Sequence, residues 1–237
     1  MLIRELLLES PSDDVDLQNI ARYISSYIRH KQLLGNYNFR FKLSALFKKI
    51  SLSPNIRNND LKEKLSKLTI IVRTEGRDNL NGFFRPDDFI ITIYMFGLPT
   101  EFNLQSTLIH ELQHAWDYAR SEGKDWTETD IHTYEYTKSV EEINARFAQA
   151  LMNLGDLDLS SNKNILLRIK AVFYANSLFP ELYDNLPNGR QKYNQLLKRA
   201  YKFCKEVNNY EKFNHEELPS QTLKKLVAKT LREIINN

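Results

Sequence analysis

Cysteine occurs once in 237 residues, at Cys204, so no internal disulfide framework can hold this chain together. A lone cysteine suits a reducing compartment and reads as a small apolar residue packed in a helix. Glycine and proline are scarce too, seven of each, which excludes collagen-like and linker-rich chains and favours long helices. No apolar run approaches the roughly 20 residues that span a bilayer, so no membrane partner is expected. The opening Met1-Leu-Ile-Arg-Glu-Leu-Leu-Leu-Glu-Ser10 mixes acids into its apolar stretch. It lacks the basic start, long apolar middle and small-residue cleavage site of a secretory leader. The expected location is intracellular, in the cytoplasm.

What is present is ordinary globular material: 42% hydrophobic and 27% charged residues, in a chain long enough to bury a substantial core. The net charge of +3 conceals an uneven distribution. Residues 101–160 carry 12 acidic and 4 basic side chains, a local charge of −8. An acidic block helps hold a cation and disfavours polyanions at that place. The compensating basic excess, notable in 190–232, reads first as solvated helix faces and second as a surface for nucleic acid or an acidic partner.

The periodicity predicts an α+β chain that is predominantly helical. Val15, Leu17, Ile20, Tyr23, Ile24, Tyr27 and Ile28 recur at helical spacing, so a helix is expected up to about Leu34. Further helices are expected over Phe41–Ile50 and Leu61–Lys67. Leu68–Thr74 is β-branched and reads as a strand, Phe83-Phe84 opens a second, and Phe89–Phe96 is the strongest strand candidate. These three suggest a small antiparallel sheet. Helical patterns resume at 103–120, 140–154, 161–179, 189–207 and 219–235. The expected organisation is an N-terminal helical region (1–67), a central α+β core (68–156) and a C-terminal helical region (157–237), together one compact unit.

Within the helix at 103–120 lies His110-Glu111-Leu112-Gln113-His114. Histidines four apart stand on one helix face and can reach a single tetrahedral metal ion, with Zn²⁺ the default. Glu111, one step round the helix, falls where it can take a proton from a water activated by that metal. Leu104, Leu108 and Leu112 form an apolar ridge, and His110, His114 and Asp117 a separate one. Asp117 is placed to accept a hydrogen bond from the far nitrogen of a histidine ligand. A catalytic zinc needs a third protein ligand, and Glu141-Glu142 at the start of the next helix offers two carboxylates. Adjacent helical residues point about 100° apart, so only one can face the histidines. Both share a stripe with the small Ala145, and the spacing does not choose between them.

The run His110-Glu-Leu-Gln-His114, followed 28 residues later by Glu142-Ile-Asn-Ala145-Arg146, resembles the gluzincin zinc metallopeptidases. The resemblance spans about 85–150 and looks closest to the small metallopeptidases of phages and mobile elements. The leader is also similar to short openings of some phage proteins. The resemblance implies a zincin-like core and makes His110, His114 and Glu142 the zinc ligands, with Glu111 as general base. It implies an edge strand, here Phe89–Phe96, that lines the cleft and pairs with an extended peptide. Arg146 departs from the acid or amide usual at its position.

Other residues near this block are secondary candidates. Tyr134 and Tyr136 precede the glutamate helix and could donate a hydrogen bond to an oxyanion, though in a chain with 12 tyrosines each also reads as packing. His132 is an alternative ligand or donor, while His30 and His215 have no partners in sequence. Trp116 and Trp126 read as core or cleft walls. The resulting expectation is a zinc-dependent peptidase acting on a peptide or protein substrate. The alternative is a catalytically silent zincin-fold binding protein whose basic C-terminal helices contact nucleic acid or a protein partner.

Overall fold

The computed structural model describes residues 11–50, 56–75, 80–98, 100–123, 139–155, 165–178 and 188–208. Its elements in chain order are α1 (Pro11–Leu33), β1 (Phe39–Lys42), α2 (Ser44–Phe47), α3 (Ile56–Leu65), β2 (Thr69–Arg73), β3 (Gly82–Arg85), β4 (Ile90–Tyr94), a 3₁₀ turn (Met95–Gly97), α4 (Glu101–Ser121), α5 (Val140–Gly155), α6 (Ile165–Ala175) and α7 (Gly189–Asn208). The chain is mixed α+β and mostly helical, with one four-stranded sheet. No helix among the described residues is long and apolar enough to cross a membrane. The expected helix at 219–235, and Trp126, His132, Tyr134, Tyr136 and His215, lie outside the described residues.

Contacts divide the chain into two units, one of them Ser12–Ala145. That unit holds the sheet together with the helices on its N-terminal side. Leu17, Ile20, Ala21, Ile24 and Ile28 of α1 are all buried, the helical repeat expected from their spacing. The sheet order is β1-β2-β4-β3. β1 pairs antiparallel with β2, and β3 antiparallel with β4, but β2 and β4 run parallel in register Thr69↔Ile90 to Arg73↔Tyr94. The sheet is therefore mixed, not antiparallel as expected. The chain leaves β2, lays down β3 on the far side, and turns back so that β4 fills the gap between them.

This topology also corrects the expected place of the strong strand. β4 is central and the edges are β1 and β3. Ile91, Thr92 and Ile93 are buried in succession, which is what a strand covered on both faces requires. The expected helix from Phe41 to Ile50 is likewise replaced by β1 and the single turn α2. Phe39 and Phe41 alternate with exposed Arg40 and Lys42, and both rings meet Tyr27 edge-on, at 6.4 and 4.9 Å. A period of two, not of 3.6, governs that stretch.

Edge strand β3 is held close to α4. A Cβ on Gly82 would sit 2.8 Å from Thr107 Cγ2, 3.1 Å from Ile93 Cδ1 and 3.2 Å from the Thr92 carbonyl oxygen, so only glycine permits this approach. At the other end the hairpin turns over Pro86–Phe89, closed by Phe89 N–H donating to Pro86 O at 3.0 Å. Phe89 adopts φ 53°, a conformation that costs a bulky residue about 1–2 kcal/mol. Its ring packs at 5.7 Å from Phe84 and 6.1 Å from Tyr118 of α4, contacts that offset the strain.

The approach to α4 is fixed from the other side by α1. Arg29 Nη2 donates to the carbonyls of Leu98 and Thr100, at 2.9 and 2.8 Å. Thr100 then caps α4, its Oγ1 accepting from Asn103 N–H at 3.0 Å.

In the second unit, described over 146–155, 165–178 and 188–208, α6 and α7 pack through an aromatic chain. Phe147 meets Phe173 at 5.8 Å and Phe173 meets Tyr193 at 6.0 Å, both edge-on. The Arg199 guanidinium stacks 4.8 Å from the Phe147 ring. Cys204 is buried there, and burial pushes its thiol up to about 12, which makes it a packing residue rather than a reactive one.

Replacing Gly82 by Ala should destabilise the protein by about 1–3 kcal/mol, the usual cost of an added methylene without room. Urea unfolding measures it, and an unchanged midpoint would show that β3 and α4 are not held at contact distance.

Candidate metal centre

Helix α4 presents His110 and His114 on one face because they are four residues apart, and the apolar Leu104, Leu108, Ile109, Leu112, Ala115 and Trp116 bury the remainder. Trp116 is core, 4% exposed. The two histidine Nε2 atoms lie 3.1 Å apart, with the rings edge-on.

The third group comes from the first turn of α5. Ser139 precedes that helix, and its Oγ accepts from Glu142 N–H at 3.1 Å, which places Glu142 at the third helical position. The Glu142 side chain points at the histidines. Its Oε2 is 3.4 Å from His110 Nε2 and 3.6 Å from His114 Nε2. His110, His114 and Glu142 thus form the group of potential metal ligands, one atom from each, all within 4.8 Å of one another. Of the two adjacent glutamates left open by the spacing, Glu142 is the one beside the histidines, and Glu141 is partly exposed. The cluster is buried except on one side: the side chains of His114 and Glu142 are 6% and 5% exposed, that of His110 17%.

Glu111 is buried against the same cluster. Burial raises its carboxyl above the ordinary glutamate value. His110 and His114 pull it back down, Glu142 pushes it up, and a hydrogen bond from the Phe84 backbone lowers it. Phe84 lies on edge strand β3, so the close approach allowed by Gly82 brings this backbone group to Glu111.

Asp117, expected to steady a histidine ring, joins two helices. Its Oδ1 accepts from Gln113 Nε2 at 3.0 Å and from Arg120 at 3.4 Å, both on α4, and its Oδ2 accepts from Asn144 Nδ2 of α5 at 2.8 Å. Asn144, Ser139, Gly82 and the Phe84 backbone were not singled out by sequence. The Ser139-Val-Glu-Glu142 spacing of a helix cap was a readable sign favouring Glu142, whereas the roles of Gly82 and Phe84 depend on β3 lying beside α4. His30 is exposed and stands apart as expected.

The chain matches no protein-family model, no curated protein and no solved structure.

Replacing His110, His114 or Glu142 singly by Ala should weaken divalent-metal binding by more than about 100-fold, beyond the 10–100-fold typical of losing an outer hydrogen-bond partner. Glu141→Ala should bind as the parent protein does. Equilibrium dialysis with metal analysis measures both, and undiminished binding by Glu142→Ala would remove it from the ligand set.

Proposed function

We propose that this protein is a zinc-dependent peptidase, with His110, His114 and Glu142 as metal ligands and Glu111 as general base. One observation carries the reading: the triangle of ligand atoms with sides of 3.1, 3.4 and 3.6 Å. Zinc–ligand distances of about 2.0–2.2 Å in tetrahedral geometry separate neighbouring ligand atoms by roughly 3.3–3.6 Å. Two of the three sides fall in that range and the third, between the histidines, is about 0.2 Å shorter. Two imidazoles and one carboxylate are also a donor set typical of catalytic zinc, which keeps the fourth position open.

When bound, zinc supplies a Lewis acid that polarises a carbonyl and brings the pKa of a water toward neutrality. The chain's own residues supply the proton handling and the positioning. The Glu111 carboxyl is held by burial above the ordinary glutamate value, the direction that favours taking up a proton. It accepts the proton of the attacking water and passes it to the leaving amine. The hydrogen bond from Phe84 holds its carboxylate in one orientation for that transfer. The partial exposure of His110 marks the side from which a substrate carbonyl can enter. The antiparallel edge strand beside Glu111 is β3, so β3 takes the peptide-lining role that the resemblance implied for Phe89–Phe96. The resemblance to gluzincins supports the same roles for the same residues.

Glu111→Gln should retain zinc at one equivalent and lose hydrolysis of a mixed unfolded-protein substrate by about 10²–10⁴-fold. Zinc analysis and peptide release, measured on the same preparations, check it. Equal turnover by both proteins would exclude the peptidase mechanism. Zinc uptake with no cleavage by either would favour the silent binding protein.

A further inference from the structure

We infer that the Asp117–Asn144 hydrogen bond is the device that sets the rotation of α5 and so aims Glu142 at the metal; this rests on the zinc reading above. On α4, His110, His114 and Asp117 fall within about 60° of one another around the helix axis. On α5, Asn144 lies about 100° to one side of Ala145 and Glu142 about 60° to the other. Ala145 is fully buried and has no bulk to resist a roll of the helix. The first turn of α5 is thus attached to one stripe of α4 at two points on opposite flanks. Glu142 reaches the histidines, and Asn144 reaches Asp117 at 2.8 Å.

The attachment is suited to position rather than merely to hold. Asp117 Oδ1 is fixed to its own helix by Gln113 and Arg120, which leaves Oδ2 aimed at Asn144. Gln113 is 1% exposed and Asn144 6%, so neither bond competes with bulk water. A surface acid in a last helical turn would pair with Arg120 and stop there. Asp117, its side chain 9% exposed, continues across to the other ligand-bearing helix.

The demand for such a device follows from the size of the error it prevents. A carboxylate roughly 6 Å from the helix axis moves by about 1 Å when the helix rolls by about 10°. Metal–ligand distances tolerate only about ±0.2 Å. Glu142 stands in the first turn of α5, where one flank cannot by itself fix the roll. Asn144, two residues on, supplies the second flank.

The test exchanges the partners. Asn144→Asp sets two carboxylates face to face, whereas the double variant Asp117→Asn/Asn144→Asp restores the bond with donor and acceptor reversed and leaves an oxygen for Gln113. Zinc affinity is measured by competition with a chromophoric chelator, and the site geometry by the visible absorption of the cobalt(II) protein. Asn144→Asp should bind zinc about 10–100-fold more weakly and lose intensity in the cobalt spectrum. The double variant should return to within roughly threefold of the parent in affinity, with its spectrum. Parent-like affinity in Asn144→Asp, or no recovery in the double variant, overturns the inference while leaving the zinc reading in place. Absence of zinc binding by the parent protein overturns both. If Asn144→Asp does not fold, Asn144→Ala takes its place: weak zinc binding there with recovery in the double variant supports the positioning role, and equal binding overturns it.

Discussion

The constraint on which the arrangement depends is the crowding of Glu111, Glu142, His110 and His114 into one largely dry space. Water cannot solvate two carboxylates buried at 6% and 4% exposure, and an isolated buried charge is expensive. The raised Glu111 carboxyl is the signature of that cost. Two carboxylates near each other also repel, which is why Glu142 adds to the upward push. A chain could relieve such crowding by swinging one side chain out to solvent. Here Glu111 accepts from the Phe84 backbone, and the His114 and Glu142 side chains are 6% and 5% exposed, so the groups lie inward. Such a cluster is tolerable where a divalent cation is meant to sit, and that is the physical case for the proposed zinc.

The supporting structure can be understood as the removal of freedoms, one at a time. Arg29 ties α1 to the carbonyls of Leu98 and Thr100, fixing where α4 begins, and the Thr100 cap fixes how it begins. Gly82 lets β3 lie against Thr107, which brings the Phe84 backbone to Glu111. Phe89 accepts a strained backbone so that its ring can join Phe84 and Tyr118 across the same seam. The Thr100 cap bond is modest, about 0.5–1.5 kcal/mol, and the Arg29 bonds, with a charged donor, are somewhat stronger. Their value is directional: they act along different axes on the same two elements, and a rigid site needs that more than it needs total energy.

Much of this was legible in the residues, and the rest was hidden for identifiable reasons. The histidine pair and Glu111 were legible because helical spacing alone places them. So was α4, whose apolar ridge continues without interruption from Leu104 to Leu112. The direction of β2 against β4 was not, because strand composition records burial and not polarity. Yet the hydrophobic run from Phe89 to Phe96, broken only by Thr92, argues for a central strand rather than an edge. At Phe39–Lys42 the alternation of Phe with Arg and Lys is short, and only pairing with β2 makes it a strand. Asn144 was hidden differently. Its role depends on a partner 27 residues away, and no local pattern in either helix announces a bond between helices.

The choice between Glu141 and Glu142 shows how a local rule and a distant requirement can converge. In a helix cap of the form Ser-x-x-Glu the acid ordinarily turns back toward the cap residue's own N–H. Here Ser139 satisfies the Glu142 amide, while the Glu142 carboxylate goes to the histidines. The first turn still benefits from an acid, because the helix dipole favours negative charge there by about 0.3–1 kcal/mol. Glu141 would enjoy the same dipole, but its direction from the axis differs by about 100° and leads away from the histidines. The cap decides which residue is third in the helix, the rotation of α5 decides where that residue points, and only Glu142 meets both conditions.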